Sequence, residues 1–413
     1  MKFSPALNRS SRLWTSLLCC LLLVTLFVRP QLLEACPFCS APSLTLSEQV
    51  NQSDAVVLVE WQSSERGTAD EASRTTVKVV DILKQSGNGI KNGDEIVLDR
   101  YRTAEKGDRM LLLGTTGENT IDWDSPLDVS ELSYDYIKQA PAPDLPTTER
   151  LKYYMKFLEF PEELVANDAY GEFANAPYED ISPLADKMPR EKIREWIELA
   201  YSEDPQDQIR AATLSTRMGL YGLMLGLSGT EEDAKLLEKK ITEQKTDFRL
   251  GIDGIMAGYL ILRGEEGLEF IEKTKLVPND EVPFSETYSA MQAVRFMWNY
   301  GEGRISKERL RASMRVLLER NELADLVIAD LARWQDWSIL DRLYGMYGAE
   351  GYDVGAIKRS IIRYYLTAIQ MGKKEDADQD TKNVAAEAQH YLDELRAKDP
   401  KMVEQAERFF LLD

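Results

Sequence analysis

Two cysteines spaced as C-x-x-C, Cys36 and Cys39, are the most chemically specific residues in the sequence. Such a pair supports thiol–disulfide exchange where it opens a helix after the strand of a βαβ unit. Here the pair follows a leucine-rich segment, and no such unit precedes it. Three roles stay open, namely a structural disulfide, a lipid anchor and redox exchange, and we expect the disulfide or the anchor.

Four carboxylates near the end of the chain have the spacing of a calcium loop. Asp376, Asp378, Asp380 and Glu387 fall at positions 1, 3, 5 and 12 of an EF-hand-like loop between two predicted helices. Thr381 stands where that loop needs glycine. Acidic residues are also common ahead of a helix, because they favour its N-terminus. The sequence therefore allows a weak calcium site, and we expect a solvated charged loop.

The residue counts exclude several catalytic classes. His390 is the only histidine, so a Ser-His-Asp or Cys-His nucleophile cannot form without it. A zinc site of the usual His/Cys type lacks ligands, and a c-type haem would need histidine where Ser40 stands. We expect no cofactor, and we expect His390 to lie on a helix surface without a role. Catalysis by carboxylates alone remains open.

The N-terminus has the pattern of an export signal. Lys2, Arg9 and Arg12 precede residues 13–28, which carry no charge and are rich in leucine. A basic region followed by an apolar run of this length is typical of a secretory signal. Residues 1–35 are thus predicted to be a cleaved signal or a retained membrane anchor. Residues 33–36 resemble a bacterial lipobox, which would lipidate Cys36. We expect a periplasmic, cell-surface or secreted protein.

The chain is strongly acidic, with a formal charge of −20. Removal of residues 1–35 would take away four basic residues and one acid and leave a charge of −23. A surface of this charge repels phosphate backbones, so we expect no nucleic-acid partner. It is compatible with a soluble protein, with cation binding or with a basic partner. A membrane would be contacted only through the N-terminal segment, if that segment is uncleaved or lipidated.

Two architectures follow one another along the chain. Residues 36–139 contain short β-rich segments separated by glycine turns, which indicates a small barrel or sandwich. Residues 140–147 are rich in proline and predict a linker. Residues 148–413 read as a succession of amphipathic helices joined by short polar turns. The sequence thus predicts a multidomain protein with a β domain and a mainly helical domain.

The β region resembles the tissue-inhibitor-of-metalloproteinases/netrin-like module. The resemblance is carried by the cysteine pair at 36 and 39, the first strand at 54–59, and residues 81–84 and 107–113. It implies an OB-like β-barrel. It also implies a second use of Cys36, because a free N-terminal cysteine of that kind would chelate the zinc of a metalloprotease through its amine and carbonyl.

The helical region contains an internal repeat. Arg217, with glycines at 219, 222 and 226, recurs 32 residues later as Arg249, with glycines at 251, 254 and 258. A period in the thirties with two helices per unit is typical of an α-solenoid. The region resembles HEAT or armadillo repeats, and residues 306–334 and 337–369 look like further helical pairs. Glycines three and four apart share one helical face, so we expect close helix packing there rather than phosphate binding.

These observations favour a non-enzymatic exported protein that binds a protein partner through its helical-repeat surface. Helical repeats build extended surfaces suited to such partners. Trp298, Trp334 and Trp337 are expected in the core or groove of the repeats. Two alternatives remain, namely a metalloprotease-inhibitor-like regulator that acts through Cys36 and a carboxylate-dependent enzyme on the helical scaffold.

Overall fold

The computed structural model describes residues 35–39, 43–68, 71–85, 87, 89–117, 120–243, 249–279 and 281–410. The predicted signal or anchor lies outside these ranges except for Ala35. Within these ranges, no helix has both the length and the apolar character needed to cross a membrane.

The N-terminal part is an antiparallel sheet with the strand order β3-β2-β1-β4-β5 and a short β6 that also pairs with β4. The strands are β1 (Ala55–Glu65), β2 (Arg74–Gln85), β3 (Glu95–Leu98), β4 (Arg109–Thr116), β5 (Ile121–Trp123) and β6 (Leu127–Asp128). The predicted succession of a β region and a helical region is confirmed. The predicted closed barrel is not formed among the described residues, because no pairing joins β3 to β5. Both strands are short, and the Arg100 side chain spans the space between their ends to reach the Trp123 carbonyl oxygen at 3.0 Å.

The strand β1 explains how the sheet is held on both faces. Val57 and Val59 point into an inner cluster with residues of β2, β3 and β4. Val56 and Leu58 point to the opposite face, where they join the core that continues through the helices. Alternate residues of a strand face opposite sides of the sheet. The five buried apolar residues at the start of β1 therefore contribute side chains to the cores on both faces of the sheet.

Seventeen α-helices are found in the described part of the chain. They are α1 (Leu46–Gln52), α2 (Glu131–Lys138), α3 (Thr147–Tyr154), α4 (Glu163–Ala174), α5 (Tyr178–Ile181), α6 (Arg190–Ala200), α7 (Gln208–Ser215), α8 (Met218–Ser228), α9 (Glu231–Thr242), α10 (Ile252–Ile271), α11 (Phe284–Tyr300), α12 (Lys307–Val316), α13 (Ala324–Arg333), α14 (Leu340–Met346), α15 (Gly355–Gly372), α16 (Gln379–Lys398) and α17 (Pro400–Phe410). Non-helical backbone at Gly264 divides α10 into two stretches.

The repeated glycines pack α8 directly against α10. A Cβ atom added to Gly258 would lie 2.1 Å from the Gly222 carbonyl oxygen, and one added to Gly226 would lie 2.3 Å from the Gly258 Cα. Gly251 has φ +68°, a conformation that residues with a side chain rarely adopt. The prediction that these glycines serve close helix packing is confirmed.

Candidate functional site

Five helix connections form one continuous edge of the helical part. Their described residues are 201–209, 243, 249–251, 277–279, 281–284, 317–326 and 347–354. These connections come after α6, α9, α10, α12 and α14, and three of them include the first residues of the next helix. We call these five connections the turn row. Their continuity rests on side chains that reach from one connection to the next.

Arg249 joins the first three connections. Its guanidinium donates to the Lys240 carbonyl oxygen at 2.6 Å and to both carboxylate oxygens of Glu286, at 2.7 and 2.6 Å. Lys240 in turn lies over the ring of Tyr201, 4.6 Å from its centroid. The two hydrogen bonds to one carboxylate fix the planar guanidinium, so α9, α10 and α11 are held in register at this edge.

The pKa of Glu286 is lowered although the side chain is buried. Burial alone would raise this pKa, but hydrogen bonds from Arg249 and Lys275 outweigh burial and stabilise the carboxylate. Lys275 donates to Glu286 at 2.9 Å. The second connection is therefore linked to α11, two residues beyond the third connection, by an ion pair with both partners largely removed from water.

Arg320 and Tyr352 join the remaining connections. Arg320 donates to the Asn279 carbonyl oxygen at 3.1 Å, which ties the third connection to the fourth. The Tyr352 hydroxyl donates to the Leu318 carbonyl oxygen at 2.8 Å, which ties the fourth to the fifth. Main-chain oxygens are thus held by side chains of the neighbouring unit, and the five connections form one ordered row.

The turn row exposes apolar side chains at each of its five connections. Ile209 is 87% exposed and Val354 is 51% exposed. The full set is Ile209, Leu250, Val277, Phe284, Leu326 and Val354. Single exposed apolar side chains are ordinary on a protein surface, and the turn row carries six of them among its described residues.

The exposed charges among the described residues of the turn row are acidic. Seven acidic side chains are exposed, and they are Glu203, Asp204, Glu281, Glu319, Glu322, Glu350 and Asp353. Among the described residues of the turn row, Arg249 and Arg320 are the two basic ones, and they are only 8% and 7% exposed. Two of these acids are in ion pairs, Glu322 with Arg320 and Asp353 with Lys358. The described part of the edge therefore has an excess of exposed acids beside its apolar groups.

The structure brings Cys36 and Cys39 together in a disulfide, with their Cα atoms 5.3 Å apart. Cys36 is buried, and its main-chain N–H donates to the Ala174 carbonyl oxygen at 3.2 Å. Between the cysteines, the Phe38 ring packs 5.1 Å from that of Phe296. A Cβ atom on Gly219 would lie 2.1 Å from the Phe38 carbonyl oxygen. The disulfide turn is thus packed into the helical part.

Two buried carboxylates on α4, Asp168 and Glu172, lie one helical turn apart. Asp168 accepts hydrogen bonds from the Leu46 N–H and the Tyr136 hydroxyl, both at 2.6 Å. Glu172 is paired with Arg150 at 2.6 Å. Burial raises the pKa of both carboxyls, and the hydrogen bonds oppose the rise only in part.

Asp168 borders a cavity, but both of its oxygens accept hydrogen bonds from the chain itself. The cavity measures about 410 Å³ and is lined by residues of α1 and α4, including Asp168, by residues 43–45, and by Thr216 and Arg217. Both oxygens of Asp168 are taken by groups of the chain itself, and these groups belong to α1 and α2. These two hydrogen bonds hold α1 and α2, which belong to the β region of the sequence, against α4 of the helical region.

The four predicted calcium ligands are not gathered into one site. Asp378 is the N-cap of α16 and accepts a hydrogen bond from the Thr381 N–H at 2.8 Å, while Asp380 and Glu387 lie within that helix. Across the described ranges, no group of three or more His, Cys, Asp or Glu side chains is arranged to hold a metal ion. The acids that have calcium-loop spacing in the sequence thus include the N-cap of α16, Asp378, and two residues within that helix.

The remaining singled-out side chains have structural contacts. His390 is exposed on α16, as predicted, with its Nε2 3.4 Å from Glu394. The Trp298 and Trp334 rings stack with their centroids 4.2 Å apart, and Trp337 packs edge-on against Tyr364 at 5.1 Å. The tryptophans therefore pack between elements of the helical part, as expected.

Sequence reasoning missed the turn row and the acid pair Asp168/Glu172. The apolar residues of the turn row follow predicted helices at equivalent places, and this recurrence is the signal that could have found them. The acid pair has the i, i+4 spacing of one helical face. Its burial, however, depends on Leu46, 122 residues away. No protein-family model matches the chain, and no curated protein matches it.

Proposed function

We propose that this chain is a non-enzymatic binding protein that docks a basic, partly apolar segment of a protein partner along the turn row. The observation that carries the proposal is the coincidence of six exposed apolar side chains with seven exposed acids and no exposed base among the described residues of the turn row. Apolar contact supplies affinity, and the negative field selects basic partners and steers them.

The size of the turn row sets the size of the partner segment. Five units with neighbouring helices roughly 10 Å apart give an edge of about 40 Å. A partner helix of about 27 residues, or an extended segment of about 12 residues, would cover it. The ion pairs and main-chain hydrogen bonds that join the connections keep the edge ordered before binding, which limits the entropy lost on association.

Export and the two module resemblances belong to the same proposal. The basic, leucine-rich pattern of residues 1–35 supports export. The strand order supports an OB-like module, because closing β3 onto β5 would complete a small barrel. The helical pairs and the glycine-packed repeat support a HEAT-like or armadillo-like module. An acidic, apolar edge on an exported protein suits a basic partner in the same compartment.

The alternative roles receive less support from the geometry. Zinc chelation by Cys36 needs a free amine and carbonyl, whereas the Cys36 nitrogen donates to Ala174 and its carbonyl oxygen accepts from Cys39. Lipidation needs the Cys36 sulfur, which is bonded to that of Cys39. An enzyme with paired carboxylates would draw on Asp168, and both of its oxygens already accept hydrogen bonds inside the protein.

The proposal is tested with a defined peptide and matched variants. A peptide of alternating lysine and leucine is titrated into the purified chain, and fluorescence anisotropy gives Kd. Replacing Ile209, Leu250 and Phe284 with serine removes about 1 kcal/mol or more of apolar burial per side chain, so Kd should rise at least tenfold.

The control replaces Leu132 and Leu145, which are also exposed but lie outside the turn row. This double serine variant should keep the wild-type Kd. Equal affinity of the triple variant and the wild type would reject the turn row as the docking edge. Tighter binding of an otherwise identical glutamate–leucine peptide would reject the selection for basic partners.

A further inference from the structure

Besides the turn row, the open side of the sheet offers strand edges whose main-chain N–H and C=O groups are not paired with another strand among the described residues. The edges of β3 and β5 face each other across a cavity of about 630 Å³, which is lined by Ile90, residues 94–100 and residues 120–123. Within the described part of the chain, β3 pairs only with β2, and β5 pairs only with β4. Each strand therefore has one edge whose main-chain groups pair with no strand.

The gap is wider than the spacing of two paired strands. Hydrogen-bonded strands lie about 4.8 Å apart, which leaves no room for an arginine side chain between the two backbones. Arg100, just after β3, nevertheless spans the gap and donates to the Trp123 carbonyl oxygen at 3.0 Å and to the Ser125 hydroxyl at 2.8 Å. The gap is closed at this end by a side chain and stays open along the two strands.

The direction of the strands suits an inserted strand. Four antiparallel pairings separate β3 from β5, so these two strands run parallel to each other. A third strand placed between them and running the opposite way would form antiparallel ladders with both edges. With β3 four residues long and β5 three, such a strand needs about four to six residues.

The walls of the gap define the chemistry of that strand. Ile96 and Trp123 are half-buried against the inner cluster and form an apolar floor. Glu95, Asp99 and Asp122 are exposed at the rim, whereas Arg100 already donates its hydrogen bonds across the gap. Alternate residues of a strand face opposite sides, so apolar residues would meet the floor and basic residues the rim.

We propose that the gap between β3 and β5 binds an extended segment of a protein partner by strand addition, with alternating apolar and basic residues. Main-chain hydrogen bonds to two edges give affinity, and the floor and the rim give specificity. This site is separate from the turn row, so either site can fail without the other.

Hydrogen exchange of the full chain tests the proposal with a blocked lysine–valine hexapeptide as the probe. At saturating peptide, the amides of residues 95–98 and 121–123 should exchange at least threefold more slowly, while those of α16 (Gln379–Lys398), which lies outside both proposed sites, should not change. The same peptide with N-methylated amides, which cannot donate main-chain hydrogen bonds, should give no protection.

Charge variants supply the second arm. Asp99→Asn with Asp122→Asn should weaken hexapeptide binding about tenfold, as expected when two opposite charges near a basic strand are removed. Asp144→Asn, an exposed acid outside the gap, is the matched control and should not change it. Absence of protection at 95–98 and 121–123, or equal protection by the N-methylated peptide, would overturn strand addition. Protection confined to the turn row would overturn it as well.

Discussion

Adding one methyl group to Gly258 should push apart the two helices at the centre of the repeat region. The new Cβ would lie 2.1 Å from the Gly222 carbonyl oxygen, whereas ordinary contact begins at 3.4 Å. The backbones of α8 and α10 must therefore part by roughly 1.3 Å at this point, the difference of these distances. Neither neighbour can give way by a rotamer change, because the opposing atom belongs to the main chain.

The expected loss of stability follows from two costs and one gain. Overpacking of a tight interior costs about 1–3 kcal/mol, and a contact between backbones falls at the upper end. Separation by more than about 0.5 Å also forfeits a quarter or more of the dispersion energy along the contact. The helix propensity of alanine over glycine returns about 1 kcal/mol. We expect Gly258→Ala to lower the free energy of unfolding by about 2 kcal/mol or more.

The assay is urea unfolding followed by circular dichroism, with Gly345→Ala as the matched control. Gly345 lies in α14, and no atom comes within 4 Å of a Cβ added there. That variant should be as stable as the wild type or gain up to about 1 kcal/mol from helix propensity. If Gly258→Ala were as stable as Gly345→Ala, the reasoning that glycine allows this helix contact would be refuted.

Two further predictions concern buried charge. Burial raises the pKa of Asp168 above its value in the unfolded chain. The wild type should therefore lose stability relative to Asp168→Asn as pH rises from about 4 through the folded pKa. A tenfold difference in proton affinity between the folded and unfolded states corresponds to about 1.4 kcal/mol. Thermal unfolding of both proteins between pH 4 and 8 measures this, and a constant difference would contradict it. Arg249→Ala should cost about 3 kcal/mol in chemical unfolding, because it leaves the buried Glu286 with Lys275 as its remaining cationic partner among the described residues. Arg263→Ala breaks the more exposed pair with Glu231 and should cost under about 1 kcal/mol. Equal costs of the two arginine variants would contradict the importance of burial.

The pH effect on Glu286 has the opposite sign to that on Asp168. The pKa of Glu286 is lowered, so its contribution to stability is present above its unfolded pKa and is lost as pH falls through the folded value. The difference between the two carboxyls comes from their partners. Asp168 has neutral donors, whereas Glu286 has two cationic ones.

Local patterns in the sequence predicted the parts of the fold that depend on contacts within one element or between adjacent elements. The period-two pattern at residues 75–80 predicted β2, and the repeated glycines at 219–226 and 251–258 predicted a tight helix contact. Both signals arise within one element or between adjacent units. The cysteine spacing likewise allowed a local disulfide, which the structure contains.

Features that depend on distant contacts could not be predicted in this way. Barrel closure depends on whether two short edge strands meet, and Arg100 spans the space between them. The burial of Asp168 depends on Leu46 and Tyr136, which belong to other elements. The acids at 376–387 have the spacing of metal ligands in the sequence. Because the helix α16 begins directly after Asp378, the carboxylate of Asp378 caps that helix instead.

The most direct test of the turn row as a docking edge is site-specific photocrosslinking in the cells that produce the protein. A photoreactive phenylalanine analogue replaces Phe284 in one variant and Leu132, which is exposed outside the turn row, in the other. We expect an adduct from position 284 whose crosslinked segment is basic and apolar, with no such adduct from position 132. Identical adducts from both positions, or an acidic segment at position 284, would contradict docking of a basic partner along the turn row.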